Sequence, residues 1–188
     1  EARSYDVCLC TAGRKGCFMG KSSAIELFRR LEQLNQIGAA LSRERDIERL
    51  LENILEAAKA LTGADAGTLY NMTPDGGALR FEIMRTDSLG IRQGGTTGQR
   101  IGLPDLPLRR ADGSPNDALV AAYAALHERT VNIADVYAEA GFDFSGTHAF
   151  DQRTGYRSQS FLTVPMKNHE GTVIGVLQLI NAIDPATG

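Results

Sequence analysis

The feature that most constrains the fold is a hairpin pattern near the end of the chain. Residues 160–167 and 173–181 are both rich in apolar and β-branched residues, and they flank a turn-forming segment at 168–171. Two such runs around a short segment with Asn and Gly predict a pair of antiparallel strands. Pro165 has no N–H to donate, so it predicts a bulge, an edge or a point where the strand leaves its partner.

A second hairpin is predicted earlier in the chain. Residues 67–72 and 79–85 flank a turn at 73–77 that contains Pro, Asp and two Gly. In the second run apolar residues alternate with mostly polar ones, which indicates one buried and one solvated face. The two hairpins together predict an antiparallel sheet. A short strand is also predicted at 130–133, and residues 100–103 give a weaker strand signal.

Helical periodicity precedes the first hairpin. Apolar residues and one glycine recur at intervals of 4, 3, 4 and 3 residues, at Leu27, Leu31, Leu34, Gly38 and Leu41. This spacing places them on one side of a helix at 21–42, either as a short dimer seam or as a face packed on the same chain. A second helix is predicted between a cap at Ser42 or Asp46 and a stop at Gly63, and a third opens at 115–117.

Composition and hydropathy exclude several classes of function. The 188 residues include 20 Lys and Arg against 23 Asp and Glu, a formal net charge of −3. A surface with this charge does not attract nucleic acid overall, so we expect no nucleic-acid partner. The longest apolar stretch, 173–180, is far shorter than the roughly 18 residues of a membrane helix. No signal-peptide pattern is present, which favours the cytoplasm. Residues 1–20 have no clear period and are interpreted as a flexible leader or an added tail.

No motif in the sequence requires catalysis. Residues 16–22 contain Gly, Lys and Ser as a phosphate-binding loop does, but the spacing is one residue short. The three histidines are far apart and belong to no metal-ligand pattern. No Gly-x-Ser-x-Gly turn marks a serine nucleophile. We therefore expect no enzyme activity, no metal and no cofactor in this chain.

Several segments together resemble a GAF domain. The order of two opening helices, a hairpin, a variable middle, a helix with a short strand and a last hairpin matches over about residues 36–183. The sharpest part is FDQRTGYRSQSFLTVPMKN at 150–168, followed by GVLQLIN at 175–181. These runs are similar to the cyclic-nucleotide phosphodiesterase type of GAF domain.

The resemblance implies an α+β fold: a six-stranded antiparallel, PAS-like sheet with helices on one face and a ligand pocket on the other. It divides the chain into a signalling or dimerisation helix at 21–42, the GAF domain at 43–183, and the start of a linker to a final helix at 184–188. Such a domain senses a small molecule and controls an output domain of a bacterial-type signalling protein, often as a homodimer formed through its helices. The alternative is a ligand-free dimerisation scaffold.

One departure from the family pattern concerns the choice of ligand. Members that bind cyclic nucleotides are expected to carry Asn-Lys after the last strand, where the lysine forms a supporting salt bridge. Here Asn181 matches, but Ala182 stands in the place of the lysine. A cyclic nucleotide therefore remains a candidate ligand rather than the default.

Ten residues are predicted to contact the ligand. They lie in the segment at 100–103 and in the segment expected to cover the pocket. Aromatic rings can stack on a planar ligand, and Thr and Asp can hydrogen-bond to its polar edge. The same side chains can equally form ordinary core or helix caps. The ten are Ile101, Leu103, Asp135, Phe142, Phe144, Thr147, His148, Phe150, Asp151 and Thr154.

Overall fold

The computed structural model describes the backbone of residues 21–182 and the side chains of residues 27–182. The leader predicted at 1–20 and the linker predicted at 184–188 lie outside the described residues. The chain divides into two units between Ala40 and Leu41. The first contributes one described helix, and all of the described strands belong to the second.

The helix of the first unit, α1 (Lys21–Leu41), lies where the sequence predicts it. Its Leu27, Leu31 and Leu34 are 59%, 49% and 50% exposed, and neighbouring Phe28 is 73% exposed. Leucines at this spacing form the kind of stripe that a helix buries against another helix. The dimer seam therefore stays a prediction with an exposed apolar face to support it.

The second unit is an antiparallel sheet with helices on both faces. In chain order its elements are α2 (Ile47–Thr62), β1 (Ala66–Met72), β2 (Ala78–Thr86), β3 (Ile91–Gly94), a 3-10 helix (Gly95–Thr97), β4 (Leu106–Pro107), α3 (Val120–His127), β5 (Val131–Ile133), α4 (Ser145–Thr154), β6 (Phe161–Lys167) and β7 (Val173–Ile180). Six strands lie in the order β3-β2-β1-β7-β6-β5, and β4 pairs with β2 outside this path. The predicted fold class is confirmed, with one short strand more than expected.

Helix α2 covers one face of the sheet. Asp46 caps it, because its side chain accepts hydrogen bonds from the N–H groups of Glu48 and Arg49. Gly63 ends it in the left-handed conformation, with φ of 64°. Between these ends Leu55 is fully buried, and it packs with Leu69, Ile83, Leu177 and Leu179 in one core cluster.

Helices α3 and α4 belong to the opposite face. The small residues of α3, Ala121, Ala122 and Ala125, pack with Tyr70, Leu79 and Val176. A third cluster joins Val120 to Phe144, Phe161, Ile133 and Val136. Alternate residues of β1 and β7 face the two sides, so α2 and the α3–α4 layer bury different side chains of the same strands.

Two predicted elements differ in the structure. The segment 100–103 has no regular secondary structure, because the outer edge of β2 pairs with β3 and β4 instead. The helix expected to open at 115–117 begins at Val120. Asn116 is held outside it, since its N–H donates to the carbonyl of Leu108 and its side chain donates to the carbonyl of Pro107.

Pro165 lies within β6 and opposes Val176. The irregularity predicted near it follows directly, between Met166 and Lys167. None of the helices in the described part of the chain is long and apolar enough to cross a bilayer.

Candidate functional site

A cavity of about 440 Å³ lies between the sheet and the α3–α4 layer. Strands β1, β2, β6 and β7 supply its floor, and α3, α4 and the loop before β4 supply its walls. The described residues that line it are Ala66, Thr68, Tyr70, Phe81, Met84, Arg85, Thr86, Leu103, Pro104, Leu106, Leu119, Val120, Ala121, Asp143, Phe144, Ser145, Gly146, Thr147, Ala149, Phe150, Arg153, Tyr156, Ser158, Phe161, Gln178 and Ile180. This volume lies in the range of small-molecule sites.

The floor of the cavity carries a buried row of polar side chains. The hydroxyl of Tyr70 donates to Oε1 of Gln178 at 3.2 Å, and Nε2 of Gln178 donates to Oγ1 of Thr163 at 3.1 Å. Thr68 lies two residues before Tyr70 on β1 and also lines the cavity. Burial raises the pKa of the Tyr70 phenol, so it remains a donor at all ordinary pH values. These side chains of β1 and β7 are therefore polar but uncharged.

The rest of the lining is mostly apolar and aromatic. Tyr70 and Phe81 lie with ring centroids 4.7 Å apart, and Phe144 meets Phe161 edge to face at 5.9 Å. Flat rings around these polar, uncharged side chains of β1 and β7 suit a planar ligand that offers a few hydrogen-bonding groups.

The first turn of α4 contributes to the cavity wall. Ser145, Gly146 and Thr147 line the cavity there, and the first N–H groups of a helix have no partner within it. Asp143 takes the N–H of Ser145 at 2.9 Å, and this bond holds the pKa of that carboxyl below its ordinary value. A helix N-terminus favours a negatively charged group, and here the carboxylate of Asp143, which also lines the cavity, supplies that charge.

Two arginines reach the cavity lining in different ways. The guanidinium of Arg85 is committed to Glu52 on α2 at 2.7 Å and to the carbonyl of Gln93 at 2.6 Å. Arg153 is exposed on α4, with its guanidinium carbon 5.9 Å from the centroid of Phe150. Only Arg153 of these two is placed to meet an anionic group at the cavity mouth.

The structure brings four of the ten predicted contact residues to the cavity wall: Leu103, Phe144, Thr147 and Phe150. The other six do not line it: Ile101, Asp135, Phe142, His148, Asp151 and Thr154. Asp135 accepts the N–H of Tyr137, and Thr154 donates to the carbonyl of Phe150. Phe142 packs edge to face on Tyr123, and the end of the Ile101 side chain lies close to Gly94.

Asp151 and His148 both help to hold the α4 layer together. Asp151 is buried and accepts three hydrogen bonds, from the Tyr137 hydroxyl at 2.7 Å and from the N–H and hydroxyl of Ser158, each at 2.8 Å. The His148 ring stacks on Tyr137 at 4.5 Å, and Arg157 covers Tyr137 at 4.3 Å. These contacts give both residues a structural role.

Sequence reasoning missed the floor of the cavity. Thr68, Tyr70, Phe161 and Gln178 all line it from the strands. One signal was available, since Gln178 is a polar residue in the apolar run VIGVLQLI of β7. A buried polar residue in a central strand needs a partner or a function. Tyr156 was missed as well.

The fold and the cavity define this unit as an α+β domain with a cavity of small-molecule size. The family model described as "GAF domain" matches residues 46–187. The chain belongs to the GAF domain family, as its sequence resemblance indicated.

Relatives and solved structures agree with this assignment. A cGMP-specific 3',5'-cyclic phosphodiesterase of Drosophila virilis is 30% identical over 146 residues, which cover 75% of this chain and 15% of that protein. The dual 3',5'-cyclic-AMP and -GMP phosphodiesterase 11A of Takifugu rubripes is 40% identical over 62 residues, 33% of this chain and 6% of that protein. The chain thus spans a small part of these relatives.

The solved structures share the fold at low sequence identity. The GAF domain of a phosphoenolpyruvate-protein phosphotransferase from Coxiella burnetii superposes with a TM-score of 0.58 at 16% identity, covering 81% of this chain and 77% of that one. The corresponding Acinetobacter domain superposes with a TM-score of 0.57 at 15% identity, covering 84% of this chain and 82% of that one.

Within residues 21–182, no group of three or more His, Cys, Asp and Glu is placed to hold a metal ion.

Proposed function

We propose that this chain is the ligand-sensing regulatory domain of a bacterial-type signalling protein, without catalytic activity of its own, and that a cyclic nucleotide is its candidate ligand. The observation that carries the proposal is the cavity, which combines aromatic walls, polar side chains on the floor and the guanidinium of Arg153 on α4. A purine base suits the first two features, and a cyclic phosphate suits the third. The cGMP-specific relatives favour the same ligand class.

Sensing would act by population shift. The ligand would contact α4 and the loop that carries Leu103, and ordering these elements would favour one arrangement of the domain over others. A ligand can do this only if it binds one arrangement more tightly. The change would pass through the terminal helices to an output domain elsewhere in the protein.

A thermal-shift titration with cyclic GMP and cyclic AMP tests the ligand. At about one hundred times Kd a ligand adds ~2.7 kcal/mol, which corresponds to a rise in Tm of roughly 5–10 °C for a chain of this size. Ala149→Trp should abolish the shift, because Ala149 lines the cavity but is exposed enough to tolerate a large ring. Ala140→Trp, at an exposed position outside the lining, should retain it. No shift with either nucleotide would reject this ligand class.

Dimerisation through α1 belongs to the same proposal. Leu34 is 50% exposed within the predicted seam, so Leu34→Asp should give monomers in sedimentation. Gln36→Asp, also at an exposed position but off the seam, should leave the association unchanged. A dimer that forms through α1 in a protein without a ligand response would favour the scaffold alternative.

A further inference from the structure

We propose that Tyr156 is a positioning residue that couples the cavity wall to one end of the central strand pair, where β1 begins and the antiparallel β7 ends. Its ring lines the cavity, while its hydroxyl binds Asp65 just before β1 and Asn181 just after β7. These three residues are called the Tyr156 junction below. The consequence for sensing rests on the proposed function, whereas the junction itself can be tested without a ligand.

The hydroxyl of Tyr156 both donates and accepts a hydrogen bond. It donates to Oδ2 of Asp65 at 2.7 Å and accepts a hydrogen bond from Nδ2 of Asn181 at 3.0 Å. The ring meets Phe150, another wall residue, edge to face at 6.3 Å. One side chain therefore contacts the wall through its ring and, through one oxygen atom, two segments that are far apart in sequence but adjacent in the sheet.

Asp65 fixes the segment that follows α2. Besides the Tyr156 hydroxyl, its carboxylate accepts the N–H of Ser88 at 3.1 Å and the Ser88 hydroxyl at 2.7 Å. Partial burial alone would raise the pKa of Asp65, but the hydrogen bonds from Ser88 and Tyr156 and the charge of Lys59 hold it below its ordinary value. The hydroxyl of Tyr156 thus binds a charged carboxylate, which gives a stronger bond than a neutral acceptor.

Asn181 fixes the exit from β7. It adopts a positive φ of 56°, which asparagine tolerates better than most residues. Its Oδ1 accepts the N–H of Gln159 at 2.7 Å, and its Nδ2 also donates to the carbonyl of Arg157 at 2.8 Å. Both backbone partners are neighbours of Tyr156, so Asn181 binds the same short segment at several points.

Through these bonds, the position of the Tyr156 ring in the cavity wall and the positions of Asp65 and Asn181 depend on each other. A ligand that displaces the Tyr156 ring must move its hydroxyl, and with it the bonds to Asp65 and Asn181. Coupling between two sites is reciprocal. A change at Asp65, which does not line the cavity, must therefore alter the cavity wall.

The first test compares two tyrosine variants without ligand by amide hydrogen exchange and NMR. Tyr156→Phe keeps the ring and removes the hydroxyl; Tyr137→Phe is the matched control, because Tyr137 donates to Asp151 at the same 2.7 Å but does not line the cavity. The reporters are the N–H groups of Ser88 and Gln159, which bind the side chains of Asp65 and Asn181. We expect roughly tenfold faster exchange at both in Tyr156→Phe, and unchanged rates in Tyr137→Phe. Unchanged rates in Tyr156→Phe overturn the proposal.

The second test uses Asp65→Asn, which keeps the shape and weakens the bond from Tyr156. Without ligand, the ring signals of Phe150 should shift in this variant; unmoved signals overturn the coupling. With cyclic GMP, Asp65→Asn and Tyr156→Phe should each change Kd by a similar factor, and the double variant should show no further change. Equal Kd values in all variants also overturn it. If wild-type protein fails to bind cyclic GMP, the proposed ligand is rejected, and the exchange rates and the Phe150 signals still decide the junction.

Discussion

Replacing Asp151 separates the two roles that its position allows, ligand contact and support of the α4 layer. The structure places its carboxylate against Ser158, which is 2% exposed, and against the hydroxyl of Tyr137, which is 44% exposed. In Asp151→Ala the N–H and hydroxyl of Ser158 lose their acceptor in a place that water does not reach. The Tyr137 hydroxyl can bind water instead.

The magnitude follows from the groups that are left without a partner. Each orphaned buried group costs about 1–3 kcal/mol, so the two groups of Ser158 together predict a loss of about 2–6 kcal/mol. This agrees with the size of losses found when a buried charged network is broken. At ~2–4 °C per kcal/mol, Tm should fall by roughly 4–24 °C. Asp151→Asn should lose less, because a carboxamide oxygen can still accept one of the three bonds.

Urea denaturation and thermal melting of the ligand-free chain measure this loss. Asp135→Ala is the control, because Asp135 accepts a single hydrogen bond, from the N–H of Tyr137, and its loss should cost at most about 1 kcal/mol. A loss in Asp151→Ala no larger than that of Asp135→Ala would refute the structural role. Asp151 would then be free for the ligand contact that its sequence position suggested.

Three further predictions concern the sheet and its α2 face. Gly175→Ala should destabilise the fold by several kcal/mol in urea denaturation, because its Cβ would overlap the carbonyl of Tyr70 on β1. Leu55→Ala, at a fully buried position, should cost about 2–5 kcal/mol, while Leu61→Ala in the same helix, 42% exposed, should cost under about 1 kcal/mol. The pKa of Asp65 in the folded chain lies below its ordinary 3.8. Its ionised form therefore adds to the free energy of unfolding in full above that pH, and this contribution is lost as the pH falls below it. Asp65→Asn should flatten the dependence of the free energy of unfolding on pH between about pH 5 and pH 3.

Local signals in the sequence predict most of the elements. Both hairpins, the Asp46 cap and the Gly63 stop depend on neighbouring residues only, and the structure confirms them. The segment 100–103 illustrates the limit, because its apolar residues fit a strand but β2 pairs with other segments. Which strand occupies an edge depends on long-range pairing, which no local pattern contains.

The cavity is harder to predict for the same reason. Phe144 and Phe150 could be named because aromatic residues in a covering segment are natural wall residues. Gln178 lies more than a hundred residues after Thr68 and Tyr70 along the chain, and only the pairing of β1 with β7 brings the three together. Asp151 shows the converse case, since a carboxylate near aromatic residues predicts a ligand contact, whereas in the structure it accepts hydrogen bonds from Ser158 and Tyr137.

The absent lysine after Asn181 also has a different meaning once the contacts are known. On sequence grounds Ala182 counts against cyclic-nucleotide binding, because the lysine expected at this position would form a supporting salt bridge. In this chain Asn181 is already bound on several sides, to Tyr156, Arg157, Gln159 and Ser160. The change to Ala182 therefore removes a charge without leaving this end of β7 unsupported. The residue at position 182 therefore does not decide which ligand binds. The choice of ligand depends on the side chains that line the cavity, from Gln178 on the floor to the first turn of α4.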